Sequence, residues 1–221
     1  MNYEILIVDD LPIIVDGYIN LISATNFQRK PNFIKSYNFE DAYNKIFLNI
    51  KIQVNINVVL LDTSLPSYKE FNINDGVDLA LLIREKFADC KIIIITLQNE
   101  LLTVDRIIKK IKPEAFFCKN DITSESFPFI FKKIIDGNIY QSKTIIESQK
   151  ELFKKNINWD VYDNEILILI SRGVKTTNLP AYIPLSMSAI EKRKANIKDQ
   201  LLEGKGSDND LVSKAKKMGL L

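Results

Sequence analysis

The strongest indication of the fold is the segment Ile5-Leu6-Ile7-Val8-Asp9-Asp10, in which four apolar residues are followed directly by two aspartates. Three further short apolar runs occur along the chain, and they are followed by Asp62, Thr96 and Lys119. Short apolar runs bounded by polar residues predict strands buried on both faces, and the helical patterns between them predict a parallel sheet. Ligand sites of open parallel sheets lie beyond the carboxyl ends of the strands, so we expect these side chains to meet in one crevice.

The composition is that of an ordinary soluble protein and excludes several kinds of active site. The 221 residues are 46% hydrophobic and 26% charged, with a formal net charge of +2. Histidine is absent, which excludes a Ser-His-Asp or Cys-His nucleophilic site, His-ligated zinc and a phosphohistidine on this chain. Two cysteines are too few for a disulfide framework, and we find no leader sequence or membrane-spanning stretch, so we expect a cytoplasmic location.

The pattern of apolar residues predicts two domains. Residues 1–138 contain five alternations of strand and helix, and residues 139–157 are polar and lose that alternation, which indicates a linker. Residues 158–221 have helical patterns throughout. A short helix over 177–182, a turn and a longer helix from Met187 to about Leu202 have the proportions of a helix-turn-helix.

The acidic residues at the strand ends indicate a metal-assisted phosphoryl acceptor. Carboxylates held close together repel one another unless a cation lies between them, and oxygen ligands with phosphate favour Mg²⁺. We predict that Asp62 accepts the phosphoryl group, because it is the lone carboxylate of the central strand. Lys119 is expected to pair with Asp62 at rest and with a phosphoryl oxygen afterwards, and the Thr96 hydroxyl to donate to another oxygen. Each residue taken singly is more often a turn, capping or solvated residue, so the interpretation depends on the ordered set.

Residues 1–138 resemble the receiver domain of two-component response regulators. The resemblance rests on Asp9-Asp10, Pro12, the segment Leu60-Leu61-Asp62-Thr63-Ser64-Leu65-Pro66, Thr96 and Lys119. It implies a flavodoxin-like α/β domain with a five-stranded parallel sheet, phosphorylated on Asp62 by an external sensor histidine kinase. The implied Mg²⁺ ligands are Asp10, Asp62 and the backbone carbonyl of Ser64, with Asp9 acting mainly through water. Phe116 stands where the family has a switch aromatic, which rotates inward after Thr96 moves onto the phosphoryl group.

The chain departs from the receiver pattern at two places. Asn120 follows Lys119 where the family usually has proline. Nine residues, 67–75, separate Pro66 from Gly76 where the family often has about three. A tolerated surface insertion is the more frequent explanation of such a segment, because lengthening a loop costs little free energy.

Residues 158–221 resemble the LuxR-type DNA-binding domain, a small all-α helix-turn-helix unit. The match lies in Glu165-Ile166-Leu167, Arg172-Gly173-Val174, Leu185-Ser186 and the run from Ala189 to Ile197. The candidate DNA contacts are Lys192, Arg193, Lys194, Lys198 and Glu191. The family commonly has a basic residue in place of Glu191; a carboxylate there can accept from cytosine, but it repels phosphate. A Lys/Arg-rich helix is also more often a solvated face than a DNA reader.

Together these patterns predict a response regulator transcription factor that is not an enzyme. Its expected cofactor is Mg²⁺, and its expected partners are a sensor histidine kinase, double-stranded DNA and, on phosphorylation, a second copy of the chain, with no membrane. Two alternatives stay open. The C-terminal domain could bind protein rather than DNA, or the chain could be an aspartyl-phosphate phosphatase of the haloacid dehalogenase type, although that family has a second aspartate at the position of Ser64.

Overall fold

A computed structural model describes residues 3–25, 30–65, 73, 75–157 and 159–221. The chain divides into two compact units, one formed by residues 1–98 and 110–146 and the other by residues 99–109 and 147–221. The predicted insertion 67–75 lies outside the described residues except at Ile73 and Asp75, and so does the predicted boundary residue 158.

The first unit contains a six-stranded parallel sheet with the strand order β2-β1-β3-β4-β5-β6. Its strands are β1 Tyr3–Val8, β2 Pro31–Ser36, β3 Val58–Asp62, β4 Lys91–Thr96, β5 Ala115–Cys118 and β6 Tyr140–Gln141. The α/β class predicted from the apolar runs is confirmed. The predicted count of five strands is wrong, because Tyr140 and Gln141 pair in parallel with Ala115 and Phe116.

The sixth strand was missed because it has only two residues and no apolar run. The Tyr140 ring stacks on Phe117 with 5.0 Å between ring centroids, which anchors this short strand to the sheet. The segment 139–157, predicted as a linker, therefore contains β6 and the whole of a further helix, Lys143–Lys154.

Each of the first five helices follows one strand of the sheet and precedes the next, as expected for crossover connections. Their bounds are α1 Pro12–Ser23, α2 Phe39–Lys51, α3 Gly76–Lys86, α4 Leu101–Ile111, α5 Phe127–Ile135, α6 Lys143–Lys154, α7 Val161–Ser171, α8 Met187–Leu202 and α9 Asp208–Lys217. Helices α1 and α5 cover one face of the sheet, where Val15, Tyr18 and Phe131 join alternate strand residues in a buried cluster. Among the described residues, no helix combines the length and the apolarity needed to cross a membrane.

The second unit is helical, as predicted, and has its own apolar core. Residues 99–109, which include most of α4, belong to it, and a buried ion pair joins Arg106 Nε of that helix to Glu165 Oε1 of α7 at 3.1 Å. The core combines residues of α4, α7, α8 and α9 with residues that flank or connect the last three of these helices: Leu101, Leu102, Trp159, Ile166, Leu167, Ile168, Ile170, Leu179, Ile183, Ile190, Ile197, Leu201, Leu211, Ala215 and Leu220.

The short helix predicted over 177–182 is instead a 3₁₀ helix, Thr176–Ala181, with Pro180 near its end. A short 3₁₀ helix has few internal hydrogen bonds, so it tolerates a residue without an N–H outside the first turn. Helix α8 begins where predicted, because the Ser186 side chain accepts a hydrogen bond from the Ala189 N–H.

Candidate functional site

The register of the sheet brings the ends of its central strands to one edge. Val8 of β1 lies beside Leu61 of β3, and Asp62 lies beside Ile95 of β4. Thr96 in turn lies beside Cys118 of β5. The residues that end or follow these strands therefore line a common crevice.

Lys119 joins two of the acidic residues in this crevice. Its Nζ atom lies 2.7 Å from Asp9 Oδ2 and 2.7 Å from Asp62 Oδ2, and both carboxylates are buried. Burial by itself lowers the pKa of the Lys119 ammonium, but its hydrogen bonds and charge interactions with Asp62 and Asp9 outweigh that effect and raise the pKa to about 12. Lys119 is therefore a fixed positive charge across the physiological range.

Three carboxylates converge around this ammonium. Oxygen atoms of Asp9, Asp10 and Asp62 all lie within 4.8 Å of one another, with Asp10 exposed and the other two buried. Three negative charges against one ammonium leave the cluster with excess negative charge, and its donors are hard oxygen atoms. Both properties fit a divalent cation such as Mg²⁺, with the exposed Asp10 on the solvent side.

Backbone groups orient two of these carboxylates. The Leu11 N–H donates to Asp9 Oδ1 at 3.0 Å, and the Ser64 N–H donates to Asp62 Oδ1 at 2.8 Å. The second oxygen of each carboxylate faces Lys119. The role of the Ser64 carbonyl as a metal ligand remains a prediction.

Thr96 lies next to Ser64 in the same crevice. Its side chain is fully buried, its Oγ1 accepts a hydrogen bond from the Gln98 N–H at 3.0 Å, and it lies 3.4 Å from the Ser64 hydroxyl. Phe116 is also fully buried, in β5, where it lies beside Ile94 of β4. Its role as a switch aromatic remains a prediction.

Two neighbours of the crevice were not identified from the sequence. Tyr18 of α1 lines a small buried space together with Asp9 and Asp62. Burial raises the pKa of its phenol to about 12, so the phenol stays neutral beside the carboxylates. Gly76, the first residue of α3, lies so close to Thr63 that a Cβ atom there would be 2.6 Å from the Thr63 Cα. No sequence motif indicates either contact.

The predicted DNA contacts on α8 separate into paired and unpaired residues. Arg193 lies 2.8 Å from Asp163 and 2.9 Å from Asp160. Lys194 and Lys198 lie 2.6 and 2.9 Å from Asp208 at the start of α9.

Glu191 and Lys192 complete the predicted set. Both are exposed, and within the part of the chain that the structure describes neither takes part in an ion pair. The helix therefore presents less positive charge to solvent than its sequence suggests.

Comparison with known proteins gives matches in structure and none in sequence. No family model matches the chain, and no curated protein matches it. RcsB from Salmonella enterica serovar Typhimurium, solved bound to promoter rprA in the presence of the phosphomimetic BeF₃⁻, superposes with a TM-score of 0.67 at 18% identity, covering 98% of this chain and 99% of that one. A second structure of RcsB, from Salmonella typhimurium, superposes with a TM-score of 0.64 at 19% identity over 99% of both chains. It concerns the conformational dynamism of that protein for DNA interaction.

The isolated REC domain of the Salmonella enterica protein, also with BeF₃⁻, matches 67% of this chain and 99% of that one, with a TM-score of 0.53 at 18% identity. The two full-length structures match nearly all of this chain, and the isolated REC domain matches about two thirds of it. The chain therefore has the fold seen in these RcsB structures, an α/β domain with a parallel sheet followed by a helical domain.

Proposed function

We propose that this chain is a cytoplasmic response regulator in which phosphorylation of Asp62 controls DNA binding by the helix-turn-helix. The observation that carries the proposal is the contact of Lys119 with both Asp9 and Asp62, with Asp10 beside them. The full-length likeness to RcsB, solved on promoter DNA and with a phosphomimetic, supports the same assignment.

Asp62 is the best acceptor in the crevice. One of its carboxylate oxygens is held by the Ser64 N–H, and the other faces Lys119. Because the chain has no histidine, the phosphoryl group comes from outside, and we assign its source to a sensor histidine kinase. An Asp62 oxygen bonds to phosphorus while the phosphorus–nitrogen bond of the donor phosphohistidine breaks and its electron pair stays on the imidazole.

Asp10, Asp62 and Asp9, with the Ser64 carbonyl, would hold Mg²⁺, which supplies positive charge that offsets the charge on the phosphoryl oxygens. Lys119 is close enough to exchange its contact with Asp62 for one with a phosphoryl oxygen. Thr96 can turn its hydroxyl from Ser64 toward another oxygen. A phosphoryl group adds up to about two negative charges at neutral pH, which is enough to drive these local exchanges.

If the receiver has two states that differ by a few kcal/mol, the phosphoryl group can shift the population toward one of them. This shift produces the change in DNA binding. We assign to that state a homodimer whose helix-turn-helix domains bind double-stranded DNA. Phe116 in β5 is the proposed aromatic that follows Thr96 between the two states.

The test compares wild type with Asp62→Asn, each incubated with acetyl phosphate and Mg²⁺. We expect wild type to gain one acid-labile phosphoryl group by intact mass, to increase in oligomeric size and to bind DNA more tightly, and the variant to do none of these. Identical responses of the two proteins would refute the switch. Sustained hydrolysis of a phosphomonoester by wild type would instead favour the phosphatase alternative.

A further inference from the structure

The surface of α8 has one face packed within its own domain and one face open to solvent. Ile190, Ile197 and Leu201 are buried. Most of the exposed residues recur at the spacing of one helical face: Ser188, Glu191, Lys192, Ala195, Asn196 and Asp199. Gln200 is also exposed, and its side chain accepts a hydrogen bond from the Trp159 indole N–H. In a helix-turn-helix the N-terminal residues of the second helix contact base edges, so this face is the one offered to the major groove.

Three of the basic residues on α8 are held within the domain. Arg193 is paired with Asp160 and Asp163 at the start of α7, and its guanidinium also lies over the Tyr162 ring. These contacts fix the position of α8 against α7. If Arg193 turned toward a DNA phosphate, it would leave two carboxylates without their partner beside a polyanion.

Lys194 and Lys198 serve the same purpose at the other side of α8. Both ammonium groups contact Asp208, and Lys194 also donates to the Thr176 hydroxyl at 2.6 Å. The pair of contacts fixes α8 against α9 and the 3₁₀ helix. Releasing Lys194 to DNA would break its contacts with Asp208 and Thr176, and releasing Lys198 would break its contacts with Asp208 and the Gly206 carbonyl.

The groups left on the exposed face are selective for base edges. Glu191 carries only acceptors, so it is repelled by phosphate and can take a hydrogen bond from the N4 amino group of cytosine. Lys192 carries only donors, which suit O6 and N7 of guanine. The Asn196 amide combines a donor and an acceptor, as adenine N7 and N6 require.

We infer that Glu191, Lys192 and Asn196 set the base preference of this chain, selecting cytosine, guanine and adenine in the major groove. Arg193, Lys194 and Lys198 position the helix and do not read DNA. The inference rests on the proposed DNA-binding function. Of the contacts predicted from the sequence it keeps Glu191 and Lys192, it removes Arg193, Lys194 and Lys198, and it adds Asn196.

The test is selection from a random double-stranded DNA library by the full chain, with and without acetyl phosphate and Mg²⁺. Wild type is compared with Glu191→Gln, which keeps the size of an exposed side chain, and with Lys194→Met as the positioning variant. We expect Glu191→Gln to replace cytosine by adenine at one position of each half-site, with a change in relative affinity of roughly 5- to 150-fold. Lys194→Met is expected to keep the wild-type sequence preference and the salt dependence of binding, and to unfold at a lower temperature.

The possible outcomes distinguish a failure of this inference from a failure of the proposed DNA-binding function. If wild type enriches a sequence and Glu191→Gln enriches the same one, the inference is overturned and the DNA-binding function stands. If folded Lys194→Met loses a base preference, the positioning role is wrong. If wild type enriches no sequence in either condition, the proposed DNA-binding function fails, and the inference with it.

Discussion

Replacing Lys119 by methionine tests the electrostatic balance of the acidic crevice. Methionine keeps most of the side-chain volume and removes the charge that contacts Asp9 and Asp62 at 2.7 Å. The rise in the pKa of Lys119 from 10.5 to about 12 corresponds to about 2 kcal/mol of stabilisation. Removing one partner of a buried ion pair costs about 3–5 kcal/mol, and the 16% exposure of Lys119 places this pair near the lower end of that range.

We therefore expect Lys119→Met to lower the free energy of unfolding by about 2–4 kcal/mol in metal-free buffer. The measurement is urea unfolding followed by circular dichroism, with Lys132→Met as the control, because Lys132 is exposed on α5 of the same unit. A ligand at about ten times its Kd stabilises a protein by about 1.4 kcal/mol. Because the variant has lost the competing ammonium, we expect MgCl₂ to stabilise it more than it stabilises wild type.

The pH dependence of stability gives a second check that the Lys119 ammonium stabilises the folded state. A group whose pKa is raised on folding contributes its full stabilisation below its unfolded pKa and loses it as the pH rises through the folded value. The difference between wild type and Lys119→Met should be constant up to about pH 10 and shrink above it. A variant as stable as wild type without metal, or an equal gain of both proteins in MgCl₂, would refute the reasoning.

Two further predictions concern the packing that supports the two units. Arg106→Met should lower the free energy of unfolding by about 3–5 kcal/mol, because the buried Glu165 loses its charged partner, and adding Glu165→Leu should recover most of the loss; a double-mutant cycle in urea without coupling would contradict this. Gly76→Ala should lower the free energy of unfolding by about 1–3 kcal/mol, because its Cβ would lie 2.6 Å from the Thr63 backbone. Gly17→Ala in α1 should raise it by up to about 1 kcal/mol, because beyond the adjoining residues and the helix backbone no described atom lies within 4 Å of the added Cβ. Equal melting temperatures for the two alanine variants would show that the close approach at Gly76 carries no strain.

Much of the first unit could be predicted from local patterns. Apolar runs such as Ile5–Val8 are buried on both faces of a parallel sheet and carry a strong signal. Strand β6 could not be predicted in this way, because two residues are too few to show a periodicity and the strand is defined only by its pairing with β5. The 3₁₀ helix at Thr176–Ala181 was read as an ordinary helix, because both forms place apolar residues at similar spacing.

The residues that line the crevice could be predicted from the sequence alone. Parallel strands end at the same edge of a sheet, so an acidic pair after β1, an aspartate at the end of β3 and a lysine after β5 must converge. The absence of histidine likewise required any phosphoryl donor to be external.

Which basic side chains of α8 are already held in ion pairs became visible only in the folded structure. Lys194 and Asp208 are 14 residues apart, and Arg193 and Asp160 are 33 apart, so nothing local in the chain indicates that they pair. The sequence fixes how many charged residues the chain has. A basic side chain that is already paired with a carboxylate of another element is less available to bind DNA. On α8, and counting only partners among the described residues, Glu191 and Lys192 take part in no ion pair, whereas Arg193, Lys194 and Lys198 are each paired with an aspartate.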